Sequence, residues 1–304
     1  MSNLLMLLAC LVSGLALRHW QRVPDNAHTA INAVIIHISL PAVTLRYLHG
    51  FAFNADQLAP VLMPWALFGV GALVFWAGGR WLKLPRATVG ALTLVGGLGN
   101  TSFVGLPMIE SLHGRQGLGL GLLIDQLGSY LALSTVGALA ATWYAAEARP
   151  CAATMLRKVA GFPPLIAMVL ALLLTPLVFP PALDAALARI GDTLAPLALL
   201  SVGLQLRFDA LREHARALGL GLGYKLLVCP AMVIGLLWLL DVGPGTLSSV
   251  SVIEAAMPPM IGAGIVAAQA RLNAPLVSVM IGLGIPLGLA TATGWHWMFG
   301  WLAA

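Results

Sequence analysis

Apolar runs follow one another along the whole chain, separated by connections too short to fold on their own. Charges, prolines and glycines bound ten of them: residues 3–18, 29–47, 58–81, 86–112, 117–144, 162–179, 183–206, 216–240, 246–270 and 275–300. A helix of about 20 apolar residues crosses a bilayer. Lipid offers no partner to backbone N–H and C=O groups, so such runs must be helices, and they lack the alternation a barrel needs. The chain is therefore expected to be an all-α polytopic membrane protein with ten transmembrane helices. Its composition agrees: 9% of the 304 residues are charged, against roughly 25% in a soluble domain. The net charge of +5 does not indicate a nucleic-acid partner, because the basic residues fall singly or in threes between apolar runs. The partner these runs imply is the lipid bilayer.

The first run ends, rather than begins, with basic residues, Arg18 and Arg22. That is the wrong order for a signal peptide, so it is expected to be retained as a membrane helix. Cys10, Cys151 and Cys229 have neither a disulfide framework nor a metal spacing and read as small apolar fillers.

Twelve of the sixteen basic residues sit in the odd-numbered connections: Arg18 and Arg22; Arg80, Lys83 and Arg86; Arg149, Arg157 and Lys158; Arg207, Arg212 and Arg216; and Arg271. The even connections hold only Arg46 and Arg115, while Arg189 and Lys225 lie within spans. Positive residues mark the cytoplasmic side, so both termini are expected outside the cell. The expected location is the plasma membrane, which in a bacterium is the inner membrane.

Prolines suggest an internal repeat. Pro41 and Pro196 lie 155 residues apart in spans two and seven; Pro107 and Pro258 lie 151 apart in spans four and nine. This divides the chain into five-helix halves, residues 1–144 and 162–304, joined by a cytoplasmic connection over 145–161. Five is odd, so the halves are expected to be inverted relative to one another. Inverted repeats with discontinuous helices characterise secondary transporters.

The discontinuities are visible in spans four and nine. Gly96-Gly97-Leu98-Gly99-Asn100-Thr101-Ser102-Phe103-Val104-Gly105-Leu106-Pro107 places glycines, small polar residues and a proline at mid-span, and Glu254-Ala255-Ala256-Met257-Pro258-Pro259 matches it. Proline removes a backbone donor and glycine forfeits helix propensity, so both helices should unwind. Two such breaks crossing at mid-membrane would turn half-helix N-termini toward a central site suited to a carboxylate. Gly99, Asn100, Thr101, Pro107, Pro258 and Pro259 are the candidate substrate-binding residues.

Asn100-Thr101 followed by Gly105-Leu106-Pro107, together with Leu40-Pro41, Pro163-Pro164, the Pro196–Gly203 stretch and Ala256-Met257-Pro258 in that order, resembles the auxin efflux carrier family. That family includes the PIN auxin transporters and bacterial malonate and malate permease-like members. The resemblance covers most of the chain. It implies two inverted five-helix repeats, crossing helices four and nine, and elevator-like transport of organic anions, similar to the bile-acid:sodium symporter fold. It also implies that Asn100 is the crossover asparagine that contacts substrate. Two departures point to a small dicarboxylate rather than an indole acid: the central connection is short, and Gly99 stands where PIN proteins have proline.

Ionisable residues inside spans are suspected of function. Asp125 lies about 12 Å into span five at 1.5 Å per residue. Glu254, four residues before Pro258, shares a face with the break and is the first candidate for a proton-coupling carboxylate. Lys225 in span eight either neutralises substrate, pairs with one of these acids, or snorkels to the headgroups. Arg189 and Asp192 are expected to pair locally, His37 to be buried and hydrogen-bonded, and Glu110 to be solvated.

The sequence contains no H-E-x-x-H, no G-x-S-x-G and no aspartate-rich diphosphate motif, so an enzyme, and with it any catalytic residue, resident metal or cofactor, is not expected. The coupling ion stays open between proton and sodium, the latter as in a symporter of the bile-acid type. A channel or membrane receptor is the remaining alternative, and a homodimer is compatible with the sequence.

Overall fold

The structure, a computed structural model, describes residues 2–145, 152–206, 211 and 213–302. Arg149, Cys151, Arg207 and Arg212, used above, lie outside the described residues. The described residues form thirteen helices and no strand. They are α1 Ser2–His19, α2 Ala27–Leu48, α3 Ala55–Trp81, α4 (86–96), α5 (101–113), α6 Arg115–Ala145, α7 Ala152–Ala160, α8 Pro163–Leu173, α9 Pro181–Gln205, α10 Ala215–Leu239, α11 Thr246–Ala255, α12 Ile261–Gln269 and α13 Ala274–Leu302. Six of them, α2, α3, α6, α9, α10 and α13, are long and apolar enough to cross a membrane. Trp20, Trp81, Trp143, Trp238, Trp297 and Trp301 are exposed at or near helix ends, where amphipathic rings settle at a membrane–water boundary.

The helices pack in two sets. In the first, α1 runs along α9, and α2 packs on α8 and α9. Backbones touch where Gly14 meets Gly203: a Cβ on either glycine would come within 3.0 Å of the other's Cα and would strike a carbonyl oxygen. Only residues without a side chain permit this approach. In the second set, α3, α4, α5 and α6 pack with α10, α11, α12 and α13. The sets meet where α5 lies on α9 and α1, and where α2 lies on α6.

Several helices widen into π-helical turns, over Ile35–Ser39, Leu92–Gly96, Thr101–Gly105, Ile124–Tyr130, Leu133–Gly137 and Tyr224–Val228. Such turns are uncommon and concentrate at functional sites. Here Thr101, Ser102, Asp125, Gln126, Ser129 and Lys225 all ride on them, and all six are buried.

The chain leaves helical geometry between α4 and α5 and again between α11 and α12, and the two interruptions pair with each other. Asn100 donates its backbone N–H to the Pro258 carbonyl (2.8 Å), and Met260 donates to the Leu98 carbonyl (3.1 Å), framing an antiparallel bridge between Gly99 and Pro259. Pro258 and Pro259 lack an N–H, so only their carbonyls are open to the partner strand. Gly284 and Gly288 let α13 close over this pairing, because a Cβ on either would lie 2.6–2.7 Å from a ring atom of Pro259 or Pro258.

Candidate functional site

Asn100 starts the second half of its broken helix as the N-cap: its Oδ1 accepts from Phe103 N–H at 3.2 Å. The cap satisfies one of the donors that a helix start leaves unpaired. Its Nδ2, by contrast, is buried without a hydrogen-bond partner. Amide donors left dry cost roughly 1–3 kcal/mol, so this end of Asn100 is available to a ligand.

Behind the interruption stands Asp125, fully buried. Its Oδ1 accepts from Thr101 Oγ1 and Ser102 Oγ, each at 2.5 Å, and its Oδ2 has no partner. The next residue, Gln126, donates from Nε2 to Thr44 Oγ1 at 2.7 Å, tying α6 of the second set to α2 of the first, while Gln126 Oε1 and Ser129 Oγ are unpartnered.

Glu254 approaches from α11. It is 1% exposed and neither carboxyl oxygen has a partner. The carboxyl lies directly over Gly105, where a Cβ would collide with it, and Oε1 is 3.5 Å from the place a Cβ would occupy on Gly121. Two glycines thus make the space for one carboxyl. Lys225 is 2% exposed and does not snorkel; its Nζ donates to the Ala255 carbonyl at 3.0 Å and sits 3.1 Å from the position a Gly99 Cβ would take.

The structure therefore gathers Gly99, Asn100, Thr101, Pro258 and Pro259, with Asp125, Glu254 and Lys225, around the paired interruptions. Pro107 lies apart, one helical turn and more along α5. It lines a cavity of about 350 Å³ with Met6, Glu110, Arg115, Asp192 and Ala195. On the other flank a cavity of about 270 Å³ is lined by Arg18, Asp25, His28, Gln205, Ile261 and Ser278. Each cavity lies against the half-helix that follows one interruption, α5 or α12, where it meets the first helix set.

Three expectations are corrected. Asp192 pairs with Arg115 of the second helix set (2.8 Å), not with Arg189, which is exposed; the same guanidinium holds Glu110 (3.0 Å), so Glu110 is an ion-pair partner rather than simply solvated. His37 is exposed, with Nδ1 against the Ala33 carbonyl at 2.9 Å, because its face of α2 turns away from the core. Gln126, Ser129 and Thr44 escaped the sequence reading. The polar spacing Asp125-Gln126-x-x-Ser129 within an apolar run was the available signal for two of them.

A family model described as membrane transport protein matches residues 1–296. The chain belongs to this family, that of the auxin efflux carriers. Among related membrane transport proteins, an uncharacterized transporter of Methanothermobacter thermautotrophicus is 27% identical over 277 residues, covering 89% of this chain and 88% of the relative. An uncharacterized transporter of Methanocaldococcus jannaschii is 24% identical over 277 residues, covering 88% of each.

Proposed function

We propose that this membrane transport protein is a secondary active transporter of a small organic anion, a mono- or dicarboxylate, working by alternating access around the paired interruptions. The carrying observation is the hydrogen-bonded pairing of residues 98–100 with 258–260 beside unpartnered buried polar atoms of Asn100, Asp125 and Glu254. Irregular backbone at membrane depth is tolerated where it lines a cavity or packs on protein, and buried polar atoms without partners mark a place a ligand can satisfy.

In this reading the six long helices are joined as membrane spans by α1, α8 and the two broken pairs α4–α5 and α11–α12, which makes ten, in two inverted halves over 1–144 and 162–304. Both termini lie outside, in the plasma membrane. Asn100 Nδ2 and the Gly99–Thr101 backbone face the substrate carboxylate, with Pro258 and Pro259 forming the opposite wall and Pro107 on the access route. Glu254 and Asp125 carry the coupling proton. The separate packing of the two helix sets supports an elevator-like displacement of the second set against the first, each flanking cavity serving one side of the membrane.

Counterflow in proteoliposomes tests the transport reading. With unlabelled malonate or succinate trapped inside, labelled substrate accumulates transiently against its gradient; a channel gives no such overshoot. Loss of pH-driven uptake in Glu254→Gln, with counterflow retained, is the result expected of a proton-coupling carboxyl. Uptake that stays pH-driven in that variant removes Glu254 from the coupling step.

A further inference from the structure

The end of α11 presents an electrostatic problem that is solved by a residue from another helix. A helix leaves its last four carbonyls without intrahelical donors, and partial negative charge collects there. In α11 the carbonyl of Val252 accepts from Ala256 N–H (3.0 Å), that of Ile253 also from Ala256 (3.1 Å), and that of Glu254 from Met257 N–H (3.3 Å). The Ala255 carbonyl has no such recourse. Its donors in a continuing helix would be residues 258 and 259, both prolines, and the N–H of Met260 is committed to Leu98. The proline pair that breaks the helix therefore also orphans a carbonyl in the buried core.

Lys225 fills that vacancy. Its ammonium reaches from the π-helical turn Tyr224–Val228 and donates to Ala255 O at 3.0 Å. Among the described residues it is the one buried cation, against two buried carboxyls, Asp125 and Glu254. It makes no ion pair within 4.0 Å with either, although both have an unpartnered oxygen. Its position is thus set by the carbonyl end of the half-helix. Gly99, on the paired interruption, keeps the ammonium's surroundings open: a side chain there would begin 3.1 Å from Nζ.

Oxygen ligands from an unwound backbone beside carboxyls are what a hard alkali cation binds, and half-helix C-terminal ends coordinate such ions in secondary transporters. We propose that the Lys225 ammonium is a built-in counter-ion that takes the place of a bound alkali cation at the end of α11, and so makes the protein independent of sodium. The proposal deepens the transporter reading above and rests on it only for the meaning of sodium independence, not for the site itself. Removing the ammonium leaves the Ala255 carbonyl and the nearby Glu254 carboxyl with no cation, so a sodium or lithium ion becomes the available replacement.

The test compares the purified full-length protein with Lys225→Met, which keeps the length of the stem, and Lys225→Arg, which keeps the charge. Melting temperature is read in sodium chloride, lithium chloride and choline chloride, with no organic anion present. Wild type and Lys225→Arg should melt alike in all three salts. Lys225→Met should melt several degrees lower in choline chloride and recover in sodium or lithium chloride, and uptake by it should fall at least tenfold in choline and be rescued by sodium. Sodium-specific stabilisation of the wild type overturns the proposal, and this needs no variant. A folded Lys225→Met that is indifferent to all three salts overturns it as well. Because the melting series contains no substrate, failure of counterflow with the salt pattern intact would break the transport reading and leave the counter-ion role standing. The reverse outcome would do the opposite.

Discussion

The first interruption is made by glycine and closed by its own asparagine; the second is made by proline and closed by a lysine from another helix. At residues 98–100 the backbone unwinds in a glycine-rich stretch of low helix propensity, and Asn100 caps the helix that follows. Its side chain is left with a neutral amide donor turned into the site. At residues 256–260 the helix ends because two donors are missing, and the carbonyl they orphan carries the Lys225 ammonium. The two breaks thus present different chemistry: a neutral hydrogen-bond donor on one side, a lysine ammonium on the other. The difference teaches that two interruptions paired through their backbones need not share the same charge.

The comparison can be broken most severely at Gly105, where the half-helix following the first interruption touches Glu254. Gly105→Leu drives a side chain into a buried carboxyl and is expected to abolish uptake and cost about 1–3 kcal/mol of stability. In a Glu254→Ala background much of that stability loss should disappear, read as a melting temperature that falls less than the sum of the single changes.

Asp125→Asn removes the ionisable carboxyl whose Oδ1 accepts from the Thr101 and Ser102 hydroxyls. Uptake is expected to drop roughly 10- to 100-fold, on the scale of the 1.5–3 kcal/mol of a charged hydrogen bond. Equal uptake by the variant would reduce Asp125 to a packing residue.

At Asn100 the two ends of the side chain can be separated. Asn100→Ala loses the cap as well as the donor and should destabilise by about 1 kcal/mol. Asn100→Asp keeps an oxygen that can accept from Phe103 but replaces the Nδ2 donor with a carboxyl oxygen that repels an anion, so the KM for substrate should rise more than in Asn100→Ala.

The smallest effect is expected at the mouth. Arg115 and Asp192 are about half exposed, and exposed pairs contribute about 0.2–1 kcal/mol. Asp192→Ala should change stability by less than 1 kcal/mol. It should raise the rate of counterflow modestly, because the ion pair links the two helix sets at one cavity.

Much of the candidate site was legible in the sequence. Pro258-Pro259 can stop a helix wherever it occurs, and Asn100 at mid-span needs a reason beyond packing; both statements follow from single-residue chemistry. The partners were not legible, because they arrive from distant sequence. The spacing of Arg189 and Asp192 suggested a local pair, yet Asp192 takes a guanidinium 77 residues away. His37 shares a helical face with Pro41, but periodicity does not say which face of a membrane helix meets lipid. The spacing Asp125-Gln126-x-x-Ser129 marked a polar face, but the π-helical turns that carry these residues and Lys225 have no local signature in the sequence. Lys225 is the clearest case: the sequence offered substrate, acid or headgroup as its partner, and the proline-orphaned carbonyl was none of these.

The central claim, that an organic anion binds at the paired interruptions through Asn100, is tested most directly by ligand-induced stabilisation of purified wild type and Asn100→Asp against a series of mono- and dicarboxylates. A ligand at 100 times its Kd adds about 2.7 kcal/mol to the bound state, enough to raise the melting temperature by several degrees. The account predicts that at least one carboxylate gives this rise in wild type and that Asn100→Asp, still folded without ligand, shows none. An undiminished rise in Asn100→Asp would place the anion elsewhere and contradict the account.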